Sequence, residues 1–289
     1  MNASASAPVP PPDRYGVVGH PIAHSKSPFI HSRFAAATRQ HMVYERYDIR
    51  PEEFEQRLRE FFDEGGCGLN VTLPHKEAAA RFADRLTPRA RLAGAVNTLR
   101  RCSDGAIEGD NTDGAGLLAD LRRLGVPLAG AHILVLGAGG ATRGILAPLL
   151  EQGPATVFIA NRTAARAEQL AREFAEQAGK HCSLRGGGFE HIPTEPADLV
   201  LHATSLGLEG QVPAIPQGVL GAGTLAYDIG YGTTDTPFTR WAREHGAGRV
   251  AQGLGMLVEQ AAASFQLWRG VQPPTQQVLA DLRALVSHA

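Results

Sequence analysis

The sequence predicts an α/β protein of two domains, the second doubly wound around a parallel sheet. Three observations carry this. The chain has 289 residues, more than one average domain needs. Ala131–Gly144, AHILVLGAGGATRG, joins a continuous apolar run, Ile133–Leu136, to a glycine turn. Helical apolar spacing then resumes through Ile145, Leu149 and Leu150, which is the order strand, turn, helix. Thr156–Ala160 follows as a second apolar strand and leads into a helix-prone run, Ala164–Ala178.

The bulk properties narrow the function classes. Net charge is −1, so no general attraction to nucleic acid or to a membrane surface is implied. No apolar run approaches the ~20 residues of a membrane-crossing helix. Residues 1–13, rich in Ala, Ser and Pro, lack the basic and apolar regions of a secretory signal and are expected to form a disordered tail. Three scattered cysteines, Cys67, Cys102 and Cys182, fit a reducing cytoplasm and no disulfide scaffold. His20 and His24 stand four apart, but Pro21 argues against the helix that would pair them, so no metal site is expected.

In order, Tyr15–Gly19 reads as a strand, followed by the loop His20–Pro28 and a helix over Pro28–Arg39. Ser25 and Ser27 bracket Lys26 on that loop. Ser27 suits a helix N-cap, and the pair alternatively binds an anionic or polyhydroxy ligand. Met42–Tyr47 reads as a strand. Pro51–Glu64 reads as an amphipathic helix with Phe54, Leu58, Phe61 and Phe62 as its apolar stripe. Cys67–Leu73 is a strand that ends in Thr72, and Lys76 opens the next helix. A lysine between a strand end and a helix start is either a surface charge or an acid–base group. Gly94–Leu99, with Asn97, is a short strand or turn. Asp110 and Asp113 lie in a glycine-flanked loop before a helix, Ala115–Leu124, where turn and capping roles are the plain expectation.

The glycine turn, Gly137-Ala138-Gly139-Gly140-Ala141, fits a phosphate loop imperfectly, with Thr142 at the last glycine position. By itself it is also a tight turn with no ligand. The end of the second strand sharpens the choice. A fold that prefers NAD usually carries an acid there for the ribose 2′-OH. This chain has Asn161-Arg162-Thr163 and then Arg166, two guanidinium groups where a 2′-phosphate would sit, so the expected cofactor is NADP. Thr163 also suits a helix N-cap. Later strands are expected at Asp198–His202, Leu225–Asp228 and around Val250, with a helix over Thr234–His245. Two closing helices, Gly253–Trp268 and Thr275–Ser287, are expected to pack back on the first domain.

Taken together, GHPIAHSKSP, NVTLPHKEAAA, GAVNTL, GDNTDG, GAGGATRG, NRTAARAE, ATSLG and GLGMLVEQAAASFQLWRG closely resemble the shikimate dehydrogenase family, from Tyr15 to Gly270. The resemblance implies a substrate and catalytic domain over 14–114 plus 254–289 and a Rossmann-like NADP-binding domain over 115–253. It implies reduction of 3-dehydroshikimate to shikimate with NADPH, in aromatic amino-acid biosynthesis in the cytoplasm, by a monomer or homodimer. Lys76 falls on the acid–base lysine and Asp113 on its partner. Ser25, Ser27 and Tyr231 fall on groups that hold the substrate carboxylate. Thr72, Asn97 and Gln260 fall on groups for its hydroxyls or ring face. Gly137–Ala141 matches the phosphate loop, and Asn161, Arg162, Thr163 and Arg166 the 2′-phosphate clamp. Ile229, Gly253 and Met256 match positions lining the nicotinamide.

Three residues depart from the family pattern: His202 where Asn is usual, Gln252 where Asp or Gly is common, and Gly230 in place of a larger residue. All three touch the nicotinamide side. Two rivals remain open at this point. One is a sister enzyme taking quinate or an amino-shikimate. The other is a silent NADP-binding protein, against which the intact Lys76 and Asp113 argue.

Overall fold

The structure is a computed structural model that describes residues 10–204, 212 and 215–287. Residues 1–9 of the tail expected at 1–13, and the Ser205–Gly207 part of the ATSLG motif, lie outside the described residues.

The first sheet is built from Asp13–Gly19 (β1), Met42–Asp48 (β2), Gly68–Val71 (β3), Arg85–Leu86 (β4), Thr98–Arg101 (β5) and Ile107–Asp110 (β6). Its strand order is β2-β1-β3-β5-β6-β4. The strands β1, β2 and β3 run parallel, while β5 runs antiparallel to both β3 and β6. That reversal brings the start of β5 and the end of β6 to the carboxyl end of β3. Val71 N donates to Asn97 O at 2.8 Å and Asn97 N to Asp110 O at 3.1 Å, which fixes the junction. The helices of this half are Ser27–Thr38 (α1), Phe54–Asp63 (α2), Lys76–Phe82 (α3), Pro88–Ala93 (α4) and Asp113–Arg123 (α5).

Local chemistry corrects several boundaries. β1 begins at Asp13, inside the expected tail, because Arg269 holds the Asp13 carboxylate at 2.5 Å. Ser27 is not the cap of α1. It is the first helical residue, Lys26 takes the cap position, and Ser25 Oγ accepts from Ser27 N at 3.3 Å. The helix expected at Pro51–Glu64 opens as a 3-10 turn, Pro51–Glu53, before α2. Its stripe Phe54, Leu58, Phe61 and Phe62 is buried as expected, against Val18, Leu69, Val71 and Leu99.

The second sheet holds His132–Leu136 (β7), Thr156–Ala160 (β8), Ser183–Gly187 (β9), Leu199–His202 (β10), Leu225–Asp228 (β11) and Arg249–Gln252 (β12). All run parallel, in the order β12-β11-β10-β7-β8-β9. Its crossovers use Gly140–Leu150 (α6), Ala164–Glu173 (α7), Ala175–Ala178 (α8) and Pro237–Glu244 (α9). Ile133 and Val135 face one core, and Leu134 and Leu136 the opposite one. Burial on both faces is why the run reads as continuously apolar rather than alternating. The order reverses between β7 and β10, and such a crevice is where an open α/β sheet takes its ligand.

Leu254–Arg269 (α10) and Thr275–Ser287 (α11) return to the first half, as expected. Val258, Ala261, Phe265, Val278 and Leu282 pack against Ile30 and Phe34 of α1. A Cβ at Gly116 would lie 2.7 Å from Gln260 N, so only glycine lets α5 and α10 approach this closely. This contact brings Gln260 within hydrogen-bond reach of Asn97.

Candidate active site

Lys76 and Asp113 are brought together by the antiparallel turn at β5 and β6. Lys76 is the first residue of α3, and Asp113 the first of α5. Their side chains meet at Lys76 Nζ–Asp113 Oδ2, 2.5 Å, with 16% and 7% of side-chain surface exposed. The carboxylate is fully engaged. Its other oxygen accepts from Asn97 Nδ2 at 2.8 Å. The same amide reaches Thr112 Oγ1 at 2.9 Å and Gln260 Oε1 at 3.2 Å, and Asn97 Oδ1 accepts from Thr112 N at 2.8 Å. Lys76, Asp113, Asn97 and Gln260, drawn from four segments of sequence, therefore form one network.

A second layer lies beneath it, around Asn70 at the end of β3, whose partners local sequence did not reveal. Asn70 Nδ2 donates to Asn97 O, Thr98 Oγ1 and Ser264 Oγ within 3.2 Å, and Tyr44 OH donates to Asn70 Oδ1 at 2.7 Å. Burial pushes the Tyr44 phenol well above its ordinary value, and a bond from Ser27 opposes that. His75 Nε2 donates to Ile49 O at 2.7 Å, and burial lowers its pKa. The signal for these residues is burial of polar groups, which appears only once the fold is known.

Asp110 is not a simple turn residue. Arg89 grips it through Nε and Nη2, at 2.7 and 2.5 Å, and Thr87 Oγ1 adds a bond at 2.6 Å. Burial works to raise its pKa, but these bonds outweigh it and hold the carboxyl below its usual value.

The serine loop lies at the carboxyl end of β1. Ser25 and Ser27 are both buried. Arg46 clamps the Ser25 carbonyl with two donors, at 3.0 and 2.6 Å, and was missed in the sequence because it lies on the neighbouring strand. Tyr231 reaches this loop from the second half. Burial raises its phenol pKa, and the Lys26 backbone works against that. Thr72 follows β3 and donates its backbone N–H to Val18 O at 2.9 Å. His20 pairs with Asp48 at 2.7 Å. Among the described residues no three His, Cys, Asp or Glu side chains are grouped to hold a metal.

The glycine turn abuts this centre. A Cβ at Gly140 would lie 3.9 Å from Lys76 Cβ. Gly137 has φ +109°, a conformation that disfavours any side chain, and a Cβ there would sit 2.8 Å from Ala203 O. Above Gly139, the residue preceding α6, a Cβ would meet nothing within 4 Å. Thr142, in place of the last glycine, is buried and donates to Gly137 O at 2.8 Å, closing the turn from inside. This is an open cradle of N–H groups at a helix start, and it fits a dinucleotide phosphate.

Arg162 and Arg166 are exposed at the end of β8 and the start of α7, with no ion pair among the described residues. Thr163 occupies the N-cap position of α7 but makes no side-chain cap bond. Instead Asn161 Nδ2 donates to Thr163 O at 3.0 Å. Met256 is buried, Ile229 is half-buried, and a Cβ at Gly253 would strike Ile229 O at 2.1 Å.

The three departing positions form one neighbourhood. His202 Nδ1 meets Asp228 Oδ1 at 3.0 Å, and the same carboxylate accepts from Gly230 N at 3.0 Å and from Thr236 Oγ1 at 2.6 Å. Gln252 accepts from Gly232 N at 2.8 Å and donates to Thr234 O at 2.9 Å. Asp228 and Gln252 thus pin the loop that carries Tyr231 from both sides.

Comparisons with known proteins agree along the chain. The family described as Shikimate dehydrogenase substrate binding domain matches residues 17–99. Shikimate / quinate 5-dehydrogenase matches residues 120–205, and Shikimate 5'-dehydrogenase C-terminal domain matches residues 253–283. A Shikimate dehydrogenase (NADP(+)) of Aeromonas hydrophila is 52% identical over 274 residues, covering 94% of this chain and 97% of that one. The crystal structure of an Ael1 enzyme from Pseudomonas putida is 44% identical, with TM-score 0.85, covering 93% of this chain and 98% of that one. Shikimate 5-dehydrogenase from Thermus thermophilus, in complex with NADP(H) and shikimate, is 36% identical, with TM-score 0.82, covering 94% and 99%. With half of its residues shared with such a relative over nearly the whole length, this chain belongs to the shikimate dehydrogenase family.

Proposed function

We propose that this protein reduces 3-dehydroshikimate to shikimate with NADPH, in the cytoplasmic synthesis of aromatic amino acids. Family membership makes it an NADP-dependent oxidoreductase. The observation that supports this particular chemistry is the Lys76–Asp113 pair beside the glycine turn. NADPH supplies the hydride when bound. The chain must supply a proton to the oxygen that the hydride leaves charged, and must hold the substrate while it does so.

Lys76 is the proton donor in this account. Its ammonium gives a proton to the carbonyl oxygen as that oxygen gains charge, and takes it back in the reverse direction. Asp113 holds Lys76 in place, and Asn97 holds Asp113, so the donor is oriented before substrate arrives. Ser25, Ser27 and Tyr231 take the carboxylate. Thr72, Asn97 and Gln260 take the hydroxyls and the ring face. Asn161, Arg162, Thr163 and Arg166 clamp the 2′-phosphate, Gly137–Ala141 cradles the pyrophosphate, and Ile229, Gly253 and Met256 line the nicotinamide. The substrate domain is then 14–114 with 254–289, and the cofactor domain 115–253.

Mixing the protein with shikimate or quinate, each with NADP or NAD, and following absorbance of the reduced nicotinamide tests this. Fast reduction with shikimate and NADP alone is the expected result. Preference for quinate or for NAD would move the protein to a sister specificity. Cofactor binding without turnover for any pair would overturn the proposal.

A further inference from the structure

Asp228, His202 and Thr204 form a line of hydrogen-bonded side chains at the crevice between β7 and β10. The proton-transfer chemistry above does not use them. His202 is fully buried, and its ring lies stacked on Phe238 with centroids 4.7 Å apart. Nδ1 faces Asp228 Oδ1 at 3.0 Å, and Nε2 faces Thr204 Oγ1 at 2.7 Å. Thr204 itself packs on the glycine turn, its Cγ2 3.2 Å from where a Cβ of Gly137 would be.

The directions of these bonds follow from what each group can do. A carboxylate only accepts, so Nδ1 carries the proton that joins the ring to Asp228. The 3.0 Å separation is that of an ordinary N–H···O bond. In the neutral ring that carries its proton on Nδ1, Nε2 is bare. Thr204 must donate its single hydroxyl proton to Nε2, and 2.7 Å is a typical length for an O–H donor. With that proton committed, Thr204 Oγ offers only lone pairs to the cleft.

A hydroxyl beside a phosphate-binding turn would ordinarily be read as a phosphate donor. Phosphate oxygens only accept, so this one cannot serve them. The nicotinamide half of the cofactor carries donors, in its ribose hydroxyls and its carboxamide. We propose that His202, held by Asp228, is a positioning residue that fixes Thr204 Oγ as an acceptor for a donor on the nicotinamide half of NADP.

The test compares two ligands. Dissociation constants of NADP⁺ and of 2′,5′-ADP, which keeps the adenosine phosphates but lacks the nicotinamide half, are measured for the unaltered protein, Thr204→Val and His202→Phe. Loss of one neutral hydrogen bond predicts that each variant weakens NADP⁺ by about 3- to 10-fold and leaves 2′,5′-ADP unchanged. The double variant should lose no more than either single one. Equal losses for both ligands, or no loss for NADP⁺, would overturn the proposal. Nitrogen-15 NMR of the imidazole in the unaltered protein gives a second readout that survives a misfolded variant. A bare Nε2 and a protonated Nδ1 are expected, and the opposite tautomer would refute the assignment.

Discussion

The two halves of the molecule treat their polar groups in opposite ways. At the proposed catalytic end of the mixed sheet, the candidate site side chains are bonded to one another without any ligand. Lys76, Asp113, Asn97 and Gln260 form one network, and Asn70 supports it from below. In the parallel half the groups proposed to meet the cofactor's phosphates stand open. Arg162 and Arg166 project into solvent, and nothing covers Gly139. The difference follows from the two tasks. Proton transfer demands a donor whose position is already fixed, because small misplacements raise the barrier steeply. Capture of a multiply charged cofactor gains more from unpaired cations, whose bonds form only when the phosphate is present.

If that contrast is right, its largest consequence on the open side is cofactor choice. Arg162→Ala should raise the Michaelis constant for NADPH by about 10- to 100-fold, the worth of one charge-assisted bond, and barely change the weak use of NADH. Steady-state kinetics with both cofactors checks it, and equal losses would break the assignment.

Among the described residues, one exception on the bonded side is His31 on α1. It stacks on Tyr44 with centroids 4.1 Å apart, yet neither ring nitrogen has a partner. Burial pushes its pKa down to about 3 from the ordinary 6.5, and the nearby Asn70 side chain, outside good hydrogen-bond geometry, opposes this only weakly. Between these values the unfolded chain takes up a proton that the folded chain refuses. Stability is therefore full above the ordinary value and falls as pH drops toward the folded one, by up to about 1.4 kcal/mol per pH unit. His31→Phe should remove that slope. Urea midpoints at neutral and mildly acidic pH measure it, and an unchanged slope would show that other groups carry the pH dependence.

The smallest effect is expected where the two halves meet. Gln252→Ala frees the loop that carries Tyr231 and should raise the Michaelis constant for shikimate by about 2- to 10-fold, with NADP affinity kept. If the substitution has no effect in a Tyr231→Phe background, the loop acts through that phenol. An equal effect there would detach Gln252 from the substrate side.

The same contrast decides what could be read from sequence. The open half is local: the turn Gly137–Ala141 and the clamp Asn161–Arg166 each lie within a few residues, next to apolar runs that mark their strands. The bonded half joins positions as distant as Asn97 and Gln260, so only the ordered set of motifs pointed to it. Arg46 stayed invisible because nothing near it in sequence marks its partner, and Asn70, although it opens the NVTLPHKEAAA motif, has partners in Tyr44, Thr98 and Ser264 that no local pattern joins to it. Short elements were also missed. β4 has two residues, and β9, SLRGG, looks like a loop. Gly186 is there because a Cβ would meet Ala167 O of α7 at 2.2 Å, a packing demand that mimics a turn signal.

In the function proposed here, chemistry resides in the bonded network and cofactor capture elsewhere. Turnover of Lys76→Ala, measured beside its dissociation constant for NADP⁺, tests it most directly. With Lys76 as the proton donor, kcat should fall by about 10²- to 10⁴-fold while NADP⁺ affinity stays within about 2-fold. Retained turnover, or a matching collapse of cofactor binding, would contradict it.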